Sequence, residues 1–307
     1  MDAQLGKLIL LGATFGCLDF AATVAATLSS KSPFLSPMHA RKQADSVRLG
    51  FKRGDSDLLT TYNAYTAWRK VCATPGLSEY AFCNKNFLSP QNLANIEDLK
   101  AQLLTSLLDA NVIALSPAER NALTKVRPGS RQRNFVTLPP KYTRHDANDA
   151  VACSVAAWSF YPKIVKQEGK GWRNIANNQS LGLHPTSVNK TSLPPEVKYL
   201  SFYSIMQSSS RFTNAQETSG VSDFALILLA GEAVFHMYAG VIVVDGNRLR
   251  VKVRDWRTML ALKMLRMRVK ECLARGFRYP GRELGEKLRR WMEVLERVFE
   301  RRVEGKA

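Results

Sequence analysis

Acidic residues are scarce in this sequence. Its 307 residues carry 26 Asp+Glu against 44 Lys+Arg, a formal net charge of +18 with an isoelectric point near 9.9. Such a surplus says little about fold, but it favours a polyanionic partner, nucleic acid before an anionic membrane surface. Cysteine and histidine are sparse too. The five cysteines, at positions 17, 72, 83, 153 and 272, are odd in number and widely scattered, and none forms a C-x-x-C pair. That argues against a disulfide framework and against a zinc site, and it fits a reducing compartment, cytosol or nucleus. No Cys/His pair sits in a recognisable hydrolase motif. No G-x-x-x-x-G-K-[ST] loop is present to cradle nucleotide phosphates.

Long apolar runs are also few. The one that stands out, Leu8 to Leu28, holds a single acid, Asp19, with no base and no proline. A membrane span needs about 20 continuous apolar residues. Here the residues are mostly Ala, Thr, Gly and Ser, and a charge at the bilayer centre costs roughly 2.5–3.5 kcal/mol. Asp19 reads instead as a helix N-cap that divides the run into two short helices, about 4–17 and 20–30, packed closely through Gly12, Gly16, Ala21 and Ala25. Asp2 ahead of the first base argues against an export signal. The chain begins inside apolar material and reads as a piece of something longer, with no membrane partner.

Helical spacing continues to about residue 115. The segment 38–52 is polar, basic and helical. Leu58, Leu59, Tyr62, Tyr65 and Trp68 recur on one helix face, and Leu93, Ile96, Leu103, Leu104, Leu107 and Leu108 on another. Residues 116–150 gain proline, glycine and base and read as a basic linker or loop ending in one helix. Short strands follow, KIVKQ, GWRNIAN, SLGLH, YLSFYSIM, DFALILLA, AVFHMYAGVIVV and RLRVKV, punctuated by Gly169, Asn177-Asn178, Gly220, Gly231 and Asp245-Gly246. Two basic helices, about 255–275 and 282–303, close the chain. Residues 250–307 hold 18 Lys+Arg and 8 Asp+Glu, a surplus of ten. Trp256, Leu260, Met264, Met267 and Leu273 read as the buried stripe there, with Arg257, Arg266, Arg268, Arg275, Arg289 and Arg290 opposite.

Four separated stretches, in order, resemble one family. LGATFGCLDFAATVAATLSSKSPF resembles the GA-x-FGCLD…KSPF segment in the C-terminal region of DEAH/RHA-type RNA helicases. SDLLTTYNAYTAWRK, FCNKNFLSPQNL and LHPTSVN are similar to three further motifs of that region. The resemblance implies an α+β multidomain chain: a ratchet-like helical bundle over 1–115, the linker 116–150, an OB-fold-like barrel over 151–253 and C-terminal helices over 254–307. It also implies a parent that is an ATP-dependent helicase, with ATP and magnesium bound by RecA-like motor domains. This chain has no DEAH tetrapeptide, so it is expected to be catalytically silent and to bind no cofactor itself. The wording of the KSPF segment sits nearest the ribosome-associated translation-initiation branch, which implies a cytoplasmic location, with the nucleus as the alternative.

The implied partners are single-stranded RNA, ribosomal RNA included, the parent's motor domains, and an activator or ribosomal protein. In the helical part the candidate RNA contacts are Asn63, Asn92 and Lys100; Gln91 stands where many relatives carry an arginine. In the barrel, His184, Ser187, Asn189 and Lys190 combine imidazole, hydroxyl, amide and ammonium groups in one loop, the types that meet phosphate and sugar. Lys166, Lys170 and Arg173 flank the first hairpin, where barrels of this class grip single strands. Trp172 is a stacking candidate weighed against a core role. Asn247 replaces a tryptophan of the family's D-G-W-I-x-F strand, which points to a reshaped barrel edge. A second reading makes the whole a protein-interaction platform.

Overall fold

The computed structural model describes residues 2–124, 135, 137–191, 193–207, 212–282 and 284–304. It separates into two compact units, Met1–Ala152 and Cys153–Ala307.

The first unit is helical. Helix α1 (Ala3–Phe15) ends at Gly16, whose φ of 67° is a left-handed value that a glycine adopts without strain, and α2 (Leu18–Leu28) starts two residues later. Gly12 faces Ala21 so closely that a Cβ on it would lie 2.3 Å from the alanine methyl. This is the close helix contact that the small residues predict. Helix α2 is buried on every side and packs against α1, α4 (Asp57–Ala73) and α6 (Pro90–Asp109). Between them lie α3 (Arg41–Gly50), which buries only Ala44, and α5 (Glu79–Lys85). Ser56, Ser78 and Ser89 cap α4, α5 and α6 by accepting backbone N–H bonds. Among the described residues no helix is long and apolar enough to cross a membrane.

Asp19 does not cap α2. It sits inside the first turn, and the Phe20 N–H is capped instead by the Asp146 carboxylate, 3.0 Å away. The helix break comes from Gly16, not from an acid. Much of the basic stretch, 125–134, lies outside the described residues. Around it are α7 (Pro117–Thr124) and α8 (Pro140–Thr143). Residues 138–152 belong to the first unit. Leu138 and Tyr142 are buried, Tyr142 Oη accepts the Ala114 N–H, and Arg53 bonds the Asp146 carbonyl and the Asp149 carboxylate. Helix α9 (Asp149–Phe160) spans the division between the units.

The second unit contains a seven-stranded sheet in the order β5-β6-β3-β2-β1-β4-β7. The strands are β1 (Ile164–Glu168), β2 (Gly171–Asn174), β3 (Ser180–Leu183), β4 (Tyr199–Ser201), β5 (Ser204–Gln207), β6 (Thr213–Gln216) and β7 (Ser219–Val221). Only two residues, Phe202 and Tyr203, separate β4 from β5, and both keep backbone pairing through the bend. One bent strand thus supplies β5 at one end of the sheet and β4 next to the other end, and the sheet closes. Likewise β6 and β7 are one strand broken at Glu217–Thr218, where Glu217 has φ 53°. Counted this way, five strands close in the order 1-2-3-5-4-1, antiparallel except for the parallel β3–β6 pair. This is the OB-fold barrel. Its interior holds Val165, Leu181, Leu200, Phe202 and Ala215, with Trp172 and Leu183 packed alongside.

A second, three-stranded sheet has the order β10-β9-β8, from β8 (Ala233–His236), β9 (Val241–Val244) and β10 (Leu249–Lys252). DFALILLA, read as a strand, is instead helix α10 (Asp223–Leu229), capped by Ser222 and buried over Phe224–Leu228. A short helix enclosed on all sides has no polar face, so its periodicity cannot be told from that of a buried strand. Helices α11 (Trp256–Arg278) and α12 (Glu286–Glu304) complete the unit. The expected stripe on α11 is displaced. Met259, Leu265, Val269 and Cys272 are buried, whereas Trp256, Leu260 and Met267 are exposed. Arg266, expected on the open face, is buried, because its guanidinium donates to the carbonyls of Ile227, Ala230 and Gly231 at the end of α10.

Candidate nucleic-acid interface

The β1–β2 hairpin turns at Glu168-Gly169-Lys170-Gly171, with Gly169 at φ 58°. Register sets which side chains share a face. Val165 and Trp172 turn onto the barrel interior, while Lys166 stands opposite Arg173, and Arg173 opposite Ser180, on the outer face. Lys166 and Lys170 are exposed, and Arg173 holds Glu168 at 2.9 Å and donates to the Asn178 carbonyl. A surface pair of this kind is worth about 0–1 kcal/mol, so Arg173 can exchange its carboxylate for a phosphate at little cost. Trp172 belongs to the interior, half-buried against the core cluster. It is a packing residue, not an exposed stacking platform.

The loop after β3 divides its candidates. His184 N–H continues the pairing to Ala215, and its Nδ1 lies 2.8 Å from Thr186 Oγ1. Ser187 is 6% exposed and its hydroxyl pairs with Thr218 Oγ1 at 2.9 Å. Asn189 is 3% exposed and its Nδ2 donates to the same Thr218 hydroxyl and to the Thr218 carbonyl. The Ser187 hydroxyl and the Asn189 Nδ2 thus anchor the loop to the break between β6 and β7. They set the position of Lys190, which is exposed. His184 is half-buried at the loop's base.

In the helical unit the three candidates are occupied. Asn63 Nδ2 donates to the Phe51 carbonyl at 3.0 Å and Asn92 Nδ2 to the Ser32 carbonyl at 2.8 Å, each tying a loop to a helix. Lys100 is 1% exposed; its ammonium sits 2.7 Å from Asp19 Oδ1 and 4.9 Å from the Tyr65 ring centroid. Its charge is spent in the core, so it does not reach a ligand at the surface.

Around that pair is a buried network. Tyr62 donates its hydroxyl to Asp19 Oδ2 at 2.9 Å, Arg69 approaches Asp19 at 3.5 Å and Glu97 at 3.9 Å, and Tyr65 donates to Glu97. Burial pushes the Asp19 carboxyl up, but Lys100 and Arg69 outweigh it and hold its pKa below the ordinary carboxylate value. Asp146, half-buried, is pushed up to about 8, first by desolvation and then by the facing Asp19 charge. Sequence reading missed this network because its partners lie 43, 81 and 126 residues apart. A lone acid in an apolar run was its only local sign.

Two families match the chain. Residues 2–61 match the helicase associated domain (HA2), ratchet-like, and residues 153–233 match the oligonucleotide/oligosaccharide-binding (OB)-fold. The chain is 28% identical over 239 residues to the Arabidopsis thaliana DExH-box ATP-dependent RNA helicase DExH1, covering 76% of this chain and 21% of the relative. It is 28% identical over 260 residues to the ATP-dependent RNA helicase DHX29 of Mus musculus, 80% of this chain and 17% of the relative. To DHX29 of Homo sapiens it is 41% identical over 105 residues, 34% of this chain and 8% of the relative. The chain thus spans about a fifth or less of the length of these relatives. It carries the ratchet-like helicase-associated domain and the OB-fold domain of the DEAH/RHA-type, DExH-box RNA helicases.

Proposed function

We propose that these domains form an RNA-binding accessory module that grips the backbone of single-stranded RNA and closes the RNA channel of an ATP-dependent helicase. The observation that carries this reading is the outer face of the barrel's first hairpin, where Lys166, Lys170 and Arg173 stand on a strand pair of the oligonucleotide-binding class. Lys190 and His184 add to it from the loop after β3. Asn63 and Asn92 serve as loop ties in the helical unit and Lys100 as a core cation, so the grip rests on the barrel. The ATP and magnesium chemistry belongs to RecA-like motor domains, which act as this module's partners, and ribosomal RNA in translation initiation is the substrate the KSPF wording favours. This reading places the protein in the cytoplasm.

Equilibrium binding of a labelled oligouridylate tests the grip. Lys166→Ala with Lys170→Ala removes two phosphate contacts and should weaken binding about tenfold near 0.1 M salt. Unchanged affinity in that variant rejects the barrel grip. A second reading, a platform for an activator or ribosomal protein, draws on one observation. An open cavity of about 320 Å³ in the helical unit is lined by Leu35, Pro37, Tyr80, Phe87 and Leu88, with Leu35 and Tyr80 exposed. A pull-down that survives high salt and nuclease would favour it.

A further inference from the structure

The β8–β9–β10 sheet has one face that its own unit leaves uncovered. Its inner face carries Ala233, Phe235, Ile242 and Val251, packed against Ile227 of α10 and Met259 and Leu262 of α11. The outer face is built of two cross-strand rows, Val234–Val243–Arg250 and His236–Val241–Lys252. Val234, His236, Arg250 and Lys252 are all exposed, and Tyr238 stands in solvent in the turn that joins β8 to β9. Arg248 and Arg254, also exposed, flank β10 at its two ends.

Sign and spacing of charge identify the occupant. Arg250 and Lys252 are two residues apart on one strand, about 6.8 Å at ~3.4 Å per residue, a repeat close to that of an extended polynucleotide backbone. The nearby carboxylates are turned to other partners. Glu232 holds Lys270 at 2.9 Å, and Asp245 accepts from the Tyr161 hydroxyl at 2.5 Å and the Glu232 N–H at 2.6 Å. The face is therefore basic along one edge, apolar in the middle and aromatic at one corner. Phosphates, sugar and base surfaces, and a terminal base stack ask for that combination. A protein partner would need a matching row of carboxylates to pair these cations, whereas a polynucleotide carries a phosphate at every step.

We propose that this face is a second contact track for a single-stranded polynucleotide. Arg250 and Lys252 meet successive phosphates, Val234, Val241 and Val243 cover the apolar surface of the sugars and bases, and Tyr238 stacks one base. The inference rests on the RNA-binding reading above but uses none of its residues.

Fluorescence anisotropy with a labelled oligouridylate on the full chain separates the two. Arg250→Ala with Lys252→Ala should weaken binding about tenfold or more near 0.1 M salt and reduce the slope of log K against log salt by about 1.4, the share of two phosphates on a single strand. Tyr238→Ala should weaken binding about fivefold or more without moving that slope. All three side chains are exposed, so thermal melts of the variants should match the parent chain. If these variants bind as the parent does while Lys166→Ala/Lys170→Ala is weakened, the track is overturned and the barrel grip stands. If the unaltered chain binds no oligouridylate, both are overturned. Loss of a bound protein in place of RNA from the Arg250/Lys252 variant also overturns the track.

Discussion

Replacing Lys100 by methionine removes one cation from the core of the helical unit and nothing from its surface. The ammonium lies 2.7 Å from Asp19 and 3.3 Å from the Tyr65 hydroxyl, and the residue is 1% exposed. Methionine keeps most of the stem and its packing. Asp19 keeps the Tyr62 hydroxyl at 2.9 Å and Arg69 at 3.5 Å, so its carboxylate is weakened but not stranded. Removing one member of a buried pair costs about 3–5 kcal/mol, and the surviving partners place this loss near 3 kcal/mol. For a unit of this size that corresponds to a melting temperature lower by about 9 °C. Calorimetry on the full chain reads the transition of the first unit directly. Asp19→Asn added to Lys100→Met should recover part of the loss, because the two sites are coupled. RNA affinity measured below the transition should not change. A loss under about 1 kcal/mol would refute the buried-pair argument. So would an unchanged melt accompanied by weaker RNA binding, which would put Lys100 at the surface.

Two further predictions concern the same unit. Asp146 has a folded pKa of about 8, above its unfolded value near 4, so the folded unit retains a proton that the unfolded chain has released between those limits. Its contribution to stability is complete below about pH 4 and is lost as pH rises through about 8. The urea midpoint of this unit should therefore be higher at about pH 6 than at about pH 8.5, and Asp146→Asn should remove most of that difference. A variant that keeps the full pH dependence would assign it elsewhere. Gly12→Ala places a methyl where the gap to Ala21 is 2.3 Å, so α1 and α2 must separate, at a cost of about 1–3 kcal/mol in the same assay. A neutral result would mean that the helices part freely.

Much of the fold was legible where periodicity is local. The hairpin punctuation at Gly169 and Asn177-Asn178 bounds β1, β2 and β3, and the serines before Asp57 and Pro90 start α4 and α6. What stayed hidden depends on distant partners or on complete burial. Helix α10 has no polar face, so its apolar run carried no helical signature, although Ser222 was present as a cap. The stripe that the sequence offers on α11, Trp256, Leu260, Met264, Met267 and Leu273, is displaced, because the buried positions are Met259, Leu265 and Val269, one helix face away. Ser187 and Asn189 looked like ligand groups because the loop sequence does not reveal Thr218, 31 and 29 residues on, which takes their hydrogen bonds. The basic row on β10 was visible as the alternation R-L-R-V-K-V-R, but its significance needed the register that opens that face to solvent.

The central claim, that this module grips a polynucleotide backbone, is tested most directly by the salt dependence of its affinity for a single-stranded RNA. Lys166, Lys170, Arg173 and Lys190 amount to four phosphate contacts, and each contributes about −0.7 to the slope of log K against log salt on a single strand. The account predicts a slope of about −3 for the barrel alone and a steeper one, to about −6, if Arg248, Arg250, Lys252 and Arg254 also engage. It predicts that Lys166→Ala/Lys170→Ala makes the slope shallower by about 1.4. A slope near zero, or binding that this variant leaves unchanged, contradicts it.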